Sequence, residues 1–395
     1  MKKYWKSTFL LIVTVICIGT FYIHSSLALN PDISIDIQTI NGNEEEIKKV
    51  VFYADYQKGN DFNSVHIKNG TGYTSNQYSL LDELKQTNLD PKLKQYIKDY
   101  KSFMRGKVLD LYKFYEDKYV LAYANVDWGT AVRNYTLDLS VLNKESEKVT
   151  NIKSDIPNKE KYSHIYVEDL QVLNGQLKIL VTTYLFNGQN EVHVYSYDIA
   201  NQKLIDDELV FASPSVEQEA ETKLSIIFEQ QNLENQKYYI IHSSVVPYNM
   251  KEEKVDDSGA VKDVILYNIE TNEKEKLEVD GLQFESANSV YDSTIYFINY
   301  TEEIIEVVPY SIEEKKVGET FKYPMPKRDS GENPPSAQVA KGKLYIIQPE
   351  SNLESRILII DLTKGETLYE GTIQLKTPPE SKEPYEFRIF SLETF

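Results

Sequence analysis

Short apolar runs separated by polar turns recur along most of this chain. In each copy a first strand-like run, such as Leu177–Val181, is followed by a loop, a second run, such as Val194–Ile199, a polar turn and a short third run. The first run begins again at five places: Tyr119, Leu177, Tyr238, Ile295 and Leu344. A strand-rich unit that recurs about every 40–50 residues, with polar turns between its strands, is typical of the blades of a β-propeller. The steps here are 58, 61, 57 and 49 residues, and longer loops would account for the difference.

The second run of each copy is the most alike between copies. It ends on an aromatic or aliphatic residue, a polar residue and an aliphatic residue, and a polar turn follows. The copies are Val194–Ile199, Val264–Ile269, Val307–Ile312 and Ile357–Leu362, with a weaker one at Leu137–Val141. If these copies are blades, one position of each occupies an equivalent site on the same strand: Tyr197, Tyr267, Tyr310 and Ile360.

The sequence therefore predicts an all-β fold, a β-propeller of six to seven blades of antiparallel strands. Residues 30–106 hold the first strands, and residues 107–395 hold the following blades and a C-terminal closing strand. The alternative is a multi-sheet β-sandwich, whose strands also recur with turns between them. The same internal order of strands in five copies favours the propeller, because a sandwich has no reason to repeat it.

One segment interrupts the strand pattern. Residues 78–106 show apolar residues at the three-four spacing of an amphipathic helix, and Asn88–Pro91 marks a stop and a restart. We expect a short helical insertion there, ending near Gly106.

The last residues, Tyr385–Phe390, alternate like a strand, which predicts that the two chain ends close the propeller. Ile33–Ile37 and Glu386–Phe390 are the candidate closing strands. Alternation places Phe387 and Ile389 inward, with Phe395 as a further candidate.

The amino terminus carries the pattern of an export segment. Three lysines within Met1–Lys6 precede an apolar run from Phe9 to Ile23, and Ser26–Ala28 offers a small-x-small cleavage site. Residues 1–29 therefore form a signal-anchor or a signal peptide, with a membrane partner through this segment. We expect a single-pass protein of the cell membrane with the bulk of the chain extracellular, or a secreted protein if cleavage follows Ala28.

Composition narrows the classes of partner and chemistry. The net charge is −18, which argues against nucleic acid as a partner, because the protein and the phosphate backbone are both negatively charged and repel each other. The single cysteine, Cys17, lies in the apolar run behind Ile16, which is too large for a lipoprotein site, so the rest of the chain has neither disulfides nor a thiol nucleophile. A usage rich in Lys, Asn, Ile and Tyr is typical of a bacterium with low GC content.

The sequence offers few candidates for chemistry. It shows none of the familiar hydrolase, phosphate-loop or zinc motifs, and we predict no catalytic residues, cofactor or metal site. Two residues are candidates for ligand binding: Trp128, in a loop, and His242, at a strand position where it could face the central channel. His193 is interpreted as a solvent-facing or hydrogen-bonded strand histidine, and most of the 30 tyrosines as blade packing.

Two functions remain open. The first is a membrane-anchored extracytoplasmic propeller that binds or senses a protein or a cell-envelope ligand, such as a glycan, without catalysis. The alternative is an exported propeller enzyme that acts on polysaccharide through Asp/Glu pairs. Two carboxylates close together beside a tyrosine-lined cleft would favour the enzyme.

Overall fold

The computed structural model describes 17 stretches of the chain: residues 9, 12–14, 19–20, 34–59, 61–68, 71–74, 91–128, 135–214, 220–228, 236–249, 254–255, 261–279, 282, 287–301, 303–325, 334–376 and 385–394. This part of the chain is nearly all β, in several antiparallel sheets. None of the helices within these stretches is both long enough and apolar enough to cross a membrane.

The amino-terminal half of the described residues contains strands and a few short helices. The first elements are β1 (Ser34–Gly42), α1 (Glu44–Lys48), β2 (Val50–Lys58), β3 (Asp61–Lys68), β4 (Thr71–Thr74), α2 (Pro91–Asp99), α3 (Lys101–Met104) and the 3₁₀ turn η1 (Leu111–Lys113). Next come β5 (Phe114–Glu116), β6 (Val120–Asp127), β7 (Thr136–Asn143), β8 (Val149–Asp155), η2 (Lys159–Lys161), β9 (Tyr162–Leu173), β10 (Gln176–Leu185), β11 (Asn190–Asp198) and β12 (Lys203–Ala212).

The carboxyl-terminal half continues in the same way. It contains β13 (Ala220–Ile227), β14 (Tyr238–Asn249), β15 (Lys254–Val255), β16 (Val261–Asn268), β17 (Glu273–Lys276), β18 (Ala287–Tyr291), β19 (Thr294–Tyr300), β20 (Ile304–Ser311), β21 (Lys316–Val317) and β22 (Phe321–Pro324). The last strands are β23 (Ser336–Ala340), β24 (Lys343–Ser351), β25 (Glu354–Asp361), β26 (Glu366–Lys376) and β27 (Tyr385–Thr394).

These strands form six antiparallel sheets. Consecutive strands pair in the sheets β5-β6-β7-β8, β9-β10-β11-β12, β13-β14-β16-β17 and β18-β19-β20-β21, with β15 and β22 as short additions to the last two. The other two have the orders β1-β26-β25-β24-β23 and β27-β2-β3-β4. The first four sheets are therefore meanders, as expected where tight turns join antiparallel neighbours, whereas the other two each add one strand from the opposite part of the chain.

The four residues predicted to be equivalent lie at corresponding positions of four sheets. Tyr197, Tyr267, Tyr310 and Ile360 each lie on the third strand of their sheet, one residue before its end. All four are buried, and each pairs with a residue of the second strand: Leu177, Tyr239, Ile295 and Leu344.

The turn after the third strand explains the repeated motif. The last residue of that strand accepts backbone N–H groups of the turn with its side-chain oxygen: Asn143, Asp198, Asn268, Ser311 and Asp361. In four of these turns the residue before the fourth strand has a positive φ: Gln202, Asn272, Lys315 and Gly365. A buried residue followed by a polar acceptor is thus common to the five hairpins, and an aliphatic residue follows in four of them, whereas Lys144 follows Asn143.

The chain divides into two compact units. The first comprises Met1–Asn88, Arg328–Gln338 and Lys343–Phe395, and the second Leu89–Lys327 and Val339–Gly342.

The first unit joins strands from both ends of the chain. β27 pairs with β2, and β1 pairs with β26. The predicted pairing of strands from the two ends is thus found, although the two candidate strands pair with other partners and not with each other. Phe387 and Ile389 are buried as predicted, while Phe395 lies outside the described residues.

The second unit is a series of sheets packed face to face in sequence order. One apolar cluster joins Leu137 and Leu139 of β7 to Ile179 of β10, and the next joins Leu180 of β10 to Ile241 of β14. Neighbouring sheets therefore bury each other's faces, which leaves the ends of the strands and the connecting loops to carry function.

The predicted helical insertion is found where the structure describes it. α2 and α3 are separated at Tyr100, and the chain leaves α3 through Gly106, whose φ is +77°. Tyr96 and Phe103 pack against Phe114 and Tyr123, so these helices cover the sheet β5–β8. The preceding part of the prediction, residues 78–90, lies outside the described residues.

Candidate functional site

Five aromatic residues meet at one end of two neighbouring sheets in the second unit. We call this group the aromatic rim; its members are Trp128, Tyr135, His164, Tyr166 and Tyr184. They come from the end of β6, the start of β7, the start of β9 and the end of β10. In antiparallel sheets the end of one strand and the start of the next lie at the same end of the sheet, which is why these residues meet there.

The rings of the rim contact one another at wide angles. The Trp128 ring lies 5.2 Å from Tyr135, 5.7 Å from His164 and 6.2 Å from Tyr166, between ring centroids. Its plane is inclined by 64° to both His164 and Tyr166, whose own planes are parallel to within 3°. Trp128 and Tyr166 nevertheless remain 43% and 47% exposed, so much of each ring is available to a ligand.

Hydrogen bonds around Ser163 hold the rim in place. The Tyr135 hydroxyl donates to the Ser163 carbonyl at 2.7 Å, and the Ser163 hydroxyl donates to the Tyr184 carbonyl at 2.9 Å. Tyr135 itself is buried, so it acts as a fixed support for the exposed Trp128 ring. A ring that is already ordered loses little conformational entropy when a ligand binds.

β9 is irregular at both sides of the rim. In its pairing with β10, Ser163 and Glu168 have no partner residue, so each is the extra residue of a β-bulge. Between the bulges, His164 pairs with Tyr184 and Tyr166 with Thr182. Bulges redirect side chains and are over-represented near binding and active sites.

Two carboxyl groups follow the rim on β9, and both have a raised pKa. Burial raises the pKa of Glu168, and a hydrogen bond with Thr182 offsets part of this effect. Burial also raises the pKa of Asp169 to about 6, against the opposing effect of hydrogen bonds from Tyr239 and Gln171. Glu168 in turn contributes to the raised pKa of the Tyr184 hydroxyl, whose main cause is burial. Glu168 follows Tyr166 by two residues, at the second bulge of β9.

Asp169 belongs to a buried polar network between two sheets. The Tyr239 hydroxyl of β14 donates to the Asp169 carboxyl group, and the Gln171 amide donates to the Tyr239 hydroxyl and, at 2.8 Å, to the Gln236 carbonyl. Gln171 is buried, so these bonds are shielded from water. Such a network fixes the position of β9 against β14.

Another titratable group lies on β11 of the same sheet, which pairs with β10 and β12. His193 of β11 is 7% exposed in its side chain and lies between two carboxylates. Its Nδ1 is 2.8 Å from the Asp207 Oδ1, and its Nε2 is 3.1 Å from the Glu191 Oε2. Of the two interpretations of His193 from the sequence, solvent-facing or hydrogen-bonded, the structure thus shows the hydrogen-bonded one.

The two predicted ligand-binding residues have different surroundings. Trp128 is the exposed centre of the aromatic rim. His242 lies in the middle of β14, half-buried, opposite Ser225 of β13 and Val264 of β16, and it is not among the ring contacts of Trp128. The role of both residues in binding stays a prediction.

Sequence reasoning missed the other members of the rim and the two carboxyl groups. His164, Tyr166, Glu168 and Asp169 lie on β9, whose polar residues and two bulges hide the alternation of a strand. Within the described stretches, no group of three or more His, Asp or Glu residues is arranged to hold a metal ion.

Comparison with known proteins yields structures but no family. No protein-family model matches the chain, and no curated protein matches it. A crystal structure of the polysaccharide lyase Uly1 is 11% identical, with a TM-score of 0.36 over 67% of this chain and 57% of that one. Porphyromonas gingivalis dipeptidyl peptidase 4 is 10% identical, with a TM-score of 0.38 over 78% of this chain and 42% of that one.

The β-propeller domain of the Trilobed protease from Pyrococcus furiosus is similar over more of its length. It is 12% identical, with a TM-score of 0.29 over 85% of this chain and 84% of that one. This chain spans less than two thirds of the lyase and the peptidase. All three TM-scores are below 0.5, so the description of the fold depends on the sheets of this chain alone.

Proposed function

We propose that this chain is a membrane-anchored extracytoplasmic β-propeller that binds a protein or a cell-envelope ligand at the aromatic rim, without catalysing a reaction. The observation that carries the proposal is the exposure of Trp128 and Tyr166 on a supported cluster of rings. Large aromatic side chains held rigidly at a surface supply contact area at low entropic cost, and they dominate binding energy at many interfaces.

The propeller arrangement is supported by the sheets themselves. Each of the six has four or five strands in the described residues, and four equivalent positions recur on their third strands. Both ends of the chain contribute strands to sheets of the first unit, as closure of a propeller requires. Extracytoplasmic location and membrane anchoring are proposed from the lysines and the apolar run of residues 1–29.

Retention of an envelope component by variants of the full chain tests the binding site. We expect the parent chain to retain a component of the envelope fraction that Trp128→Ala loses. Tyr119→Ala is a matched control, because Tyr119 is 63% exposed and precedes β6, whereas Trp128 follows the other end of that strand. Equal retention by Trp128→Ala and the control would contradict a binding role for the rim.

Location requires a separate test. The protein should fractionate with membranes, and protease added to cells with a permeable wall should remove it. Full protection of a cytosolic protein would contradict extracytoplasmic exposure.

The enzyme alternative is favoured by one specific observation, the raised pKa of Glu168 and Asp169 beside the rim. An acid that titrates near pH 6 is suited to protonate a leaving group. Release of reducing ends from envelope polysaccharide, lost in both Glu168→Gln and Asp169→Asn but kept in Tyr119→Ala, would support this alternative. Absence of release by the parent chain would contradict it.

A further inference from the structure

We propose that the aromatic rim binds the ammonium group of a lysine side chain on a protein partner. This inference rests on the proposed function, since it names the chemistry of the ligand at the same site. Three features of the molecule support it: the angles between the rings, the position of Glu168 and the charge of the chain.

The rim forms a corner and not a flat platform. Trp128 meets the parallel rings of His164 and Tyr166 at 64°, and the centroids of those two rings are 6.4 Å apart. A sugar ring stacks on one flat face, whereas a compact cation gains from touching more than one ring face at once. Ammonium groups are attracted to the faces of Trp and Tyr rings by the ring quadrupole.

Acidic residues lie beside this corner. Glu168 is the extra residue of a bulge on β9, two residues after Tyr166. Asp127, the residue before Trp128, already has the Lys153 ammonium at 3.3 Å. The chain as a whole carries a net charge of −18, which attracts a cationic partner over longer distances.

The same unit already binds a lysine with similar groups. The Lys107 ammonium lies 4.4 Å from the centroid of the Phe103 ring and 4.5 Å from that of Tyr123. It donates a hydrogen bond to the Ser140 hydroxyl at 2.8 Å. The rim offers exposed rings and, in place of the serine hydroxyl, the carboxyl group of Glu168.

The acceptor groups favour a primary ammonium. A lysine ammonium has three N–H donors for the Glu168 carboxyl group, whereas a quaternary ammonium has none. A guanidinium is planar and would stack on a single ring. We therefore commit to lysine as the occupant of the corner.

Fluorescence titration of the full chain tests the proposal. The chain contains two tryptophans, so Trp5→Phe leaves Trp128 as the only tryptophan fluorophore. N-acetyl-lysine methylamide is titrated against N-acetyl-norleucine methylamide, which has a similar chain without the ammonium. We expect the Trp128 fluorescence to change in a saturable way with the lysine compound. The affinity for the norleucine compound should be lower by about 2- to 30-fold, the range of a cation–π contact.

Variants identify the groups responsible. Glu168→Gln and Tyr166→Leu should each weaken lysine binding by at least about twofold, the lower end of that range, while Tyr119→Leu should not. Choline is titrated in parallel, and equal or tighter binding of choline would overturn the choice of a primary ammonium.

Other results would also overturn the proposal. The first is equal affinity for the lysine and norleucine compounds, and the second is an unchanged affinity of Glu168→Gln for the lysine compound. The third is a titration with the lysine compound that does not saturate up to about 100 mM in either the parent chain or Arg133→Gln. Arg133 is included because it is a cationic residue that follows Trp128 closely in the sequence. If Trp128→Ala still loses the envelope component while lysine does not bind, only this inference fails; if neither effect is seen, the proposed function fails with it.

Discussion

His193 should make the stability of the second unit depend on pH in a way that one substitution removes. Its two ring nitrogens face the Asp207 Oδ1 and the Glu191 Oε2 at 2.8 and 3.1 Å. Ionised carboxylates only accept hydrogen bonds, and a neutral imidazole has one N–H, so the imidazolium alone donates to both. The rings of Tyr162 and Tyr195 complete its surroundings.

The pKa of His193 is therefore raised in the folded protein. Burial acts to lower it, but hydrogen bonds and charge interactions with Asp207 and Glu191 outweigh burial. A group whose folded pKa is raised stabilises the fold fully below its unfolded pKa of about 6.5. That contribution is lost as the pH rises through the folded pKa.

The size of the effect follows from two hydrogen bonds to charged groups. Each is worth about 1.5–3 kcal/mol. Glu191 and Asp207 are 23% and 25% exposed in their side chains, so water partly replaces the imidazolium once it is removed. We therefore take the lower value for each bond, which gives about 3 kcal/mol for the two together. For a unit of this size, that corresponds to a fall in Tm of about 6–12 °C.

Thermal melting of the full chain and of His193→Gln, at about pH 5.5 and about pH 9, measures this effect. We expect a large difference in Tm between the two proteins at the lower pH and, since a neutral imidazole keeps one of the two bonds, about half of it at the higher pH. Asp169 also titrates in this range, but its effect is common to both proteins and cancels. His164→Gln is the control, because His164 is exposed. An equal difference at both pH values would refute the argument.

Three further predictions concern stability. Deleting residues 385–394 removes β27 and its buried side chains, whose burial stabilises the fold by roughly 1.5–3 kcal/mol each. Soluble expression or cooperative melting should therefore be lost, and unchanged melting would mean that this segment is a loose tail. Asp169→Asn should reduce the loss of stability as the pH rises from about 4 to about 6, because the raised pKa makes the charged form unfavourable in the fold; equal pH dependence of Tm in both proteins would contradict this. Gly371→Ala should lower Tm, since a Cβ there would lie 2.6 Å from the Gln38 carbonyl oxygen of β1; an unchanged Tm would show that β1 can shift.

The sequence by itself determined the repeated hairpin of this protein. A third strand must bury its penultimate residue and then supply a side-chain acceptor to the turn, so Tyr197 is followed by Asp198 and Tyr267 by Asn268. These demands are local, within a few residues of the chain, and a local pattern is visible in a sequence. The restart of a helix at Pro91 was visible for the same reason.

The tertiary structure alone decided the strand β9 and the aromatic rim. β9 carries two bulges, so its residues follow no simple alternation, and its strand character comes from pairing with β10. Trp128, Tyr166 and Tyr184 are separated in sequence. They meet only because the end of β6, the start of β9 and the end of β10 lie close together. The raised pKa of Asp169 likewise comes from burial between sheets, which outweighs the hydrogen bond from Tyr239. Contacts of this kind depend on which strands pair and which sheets pack, and no single segment encodes them.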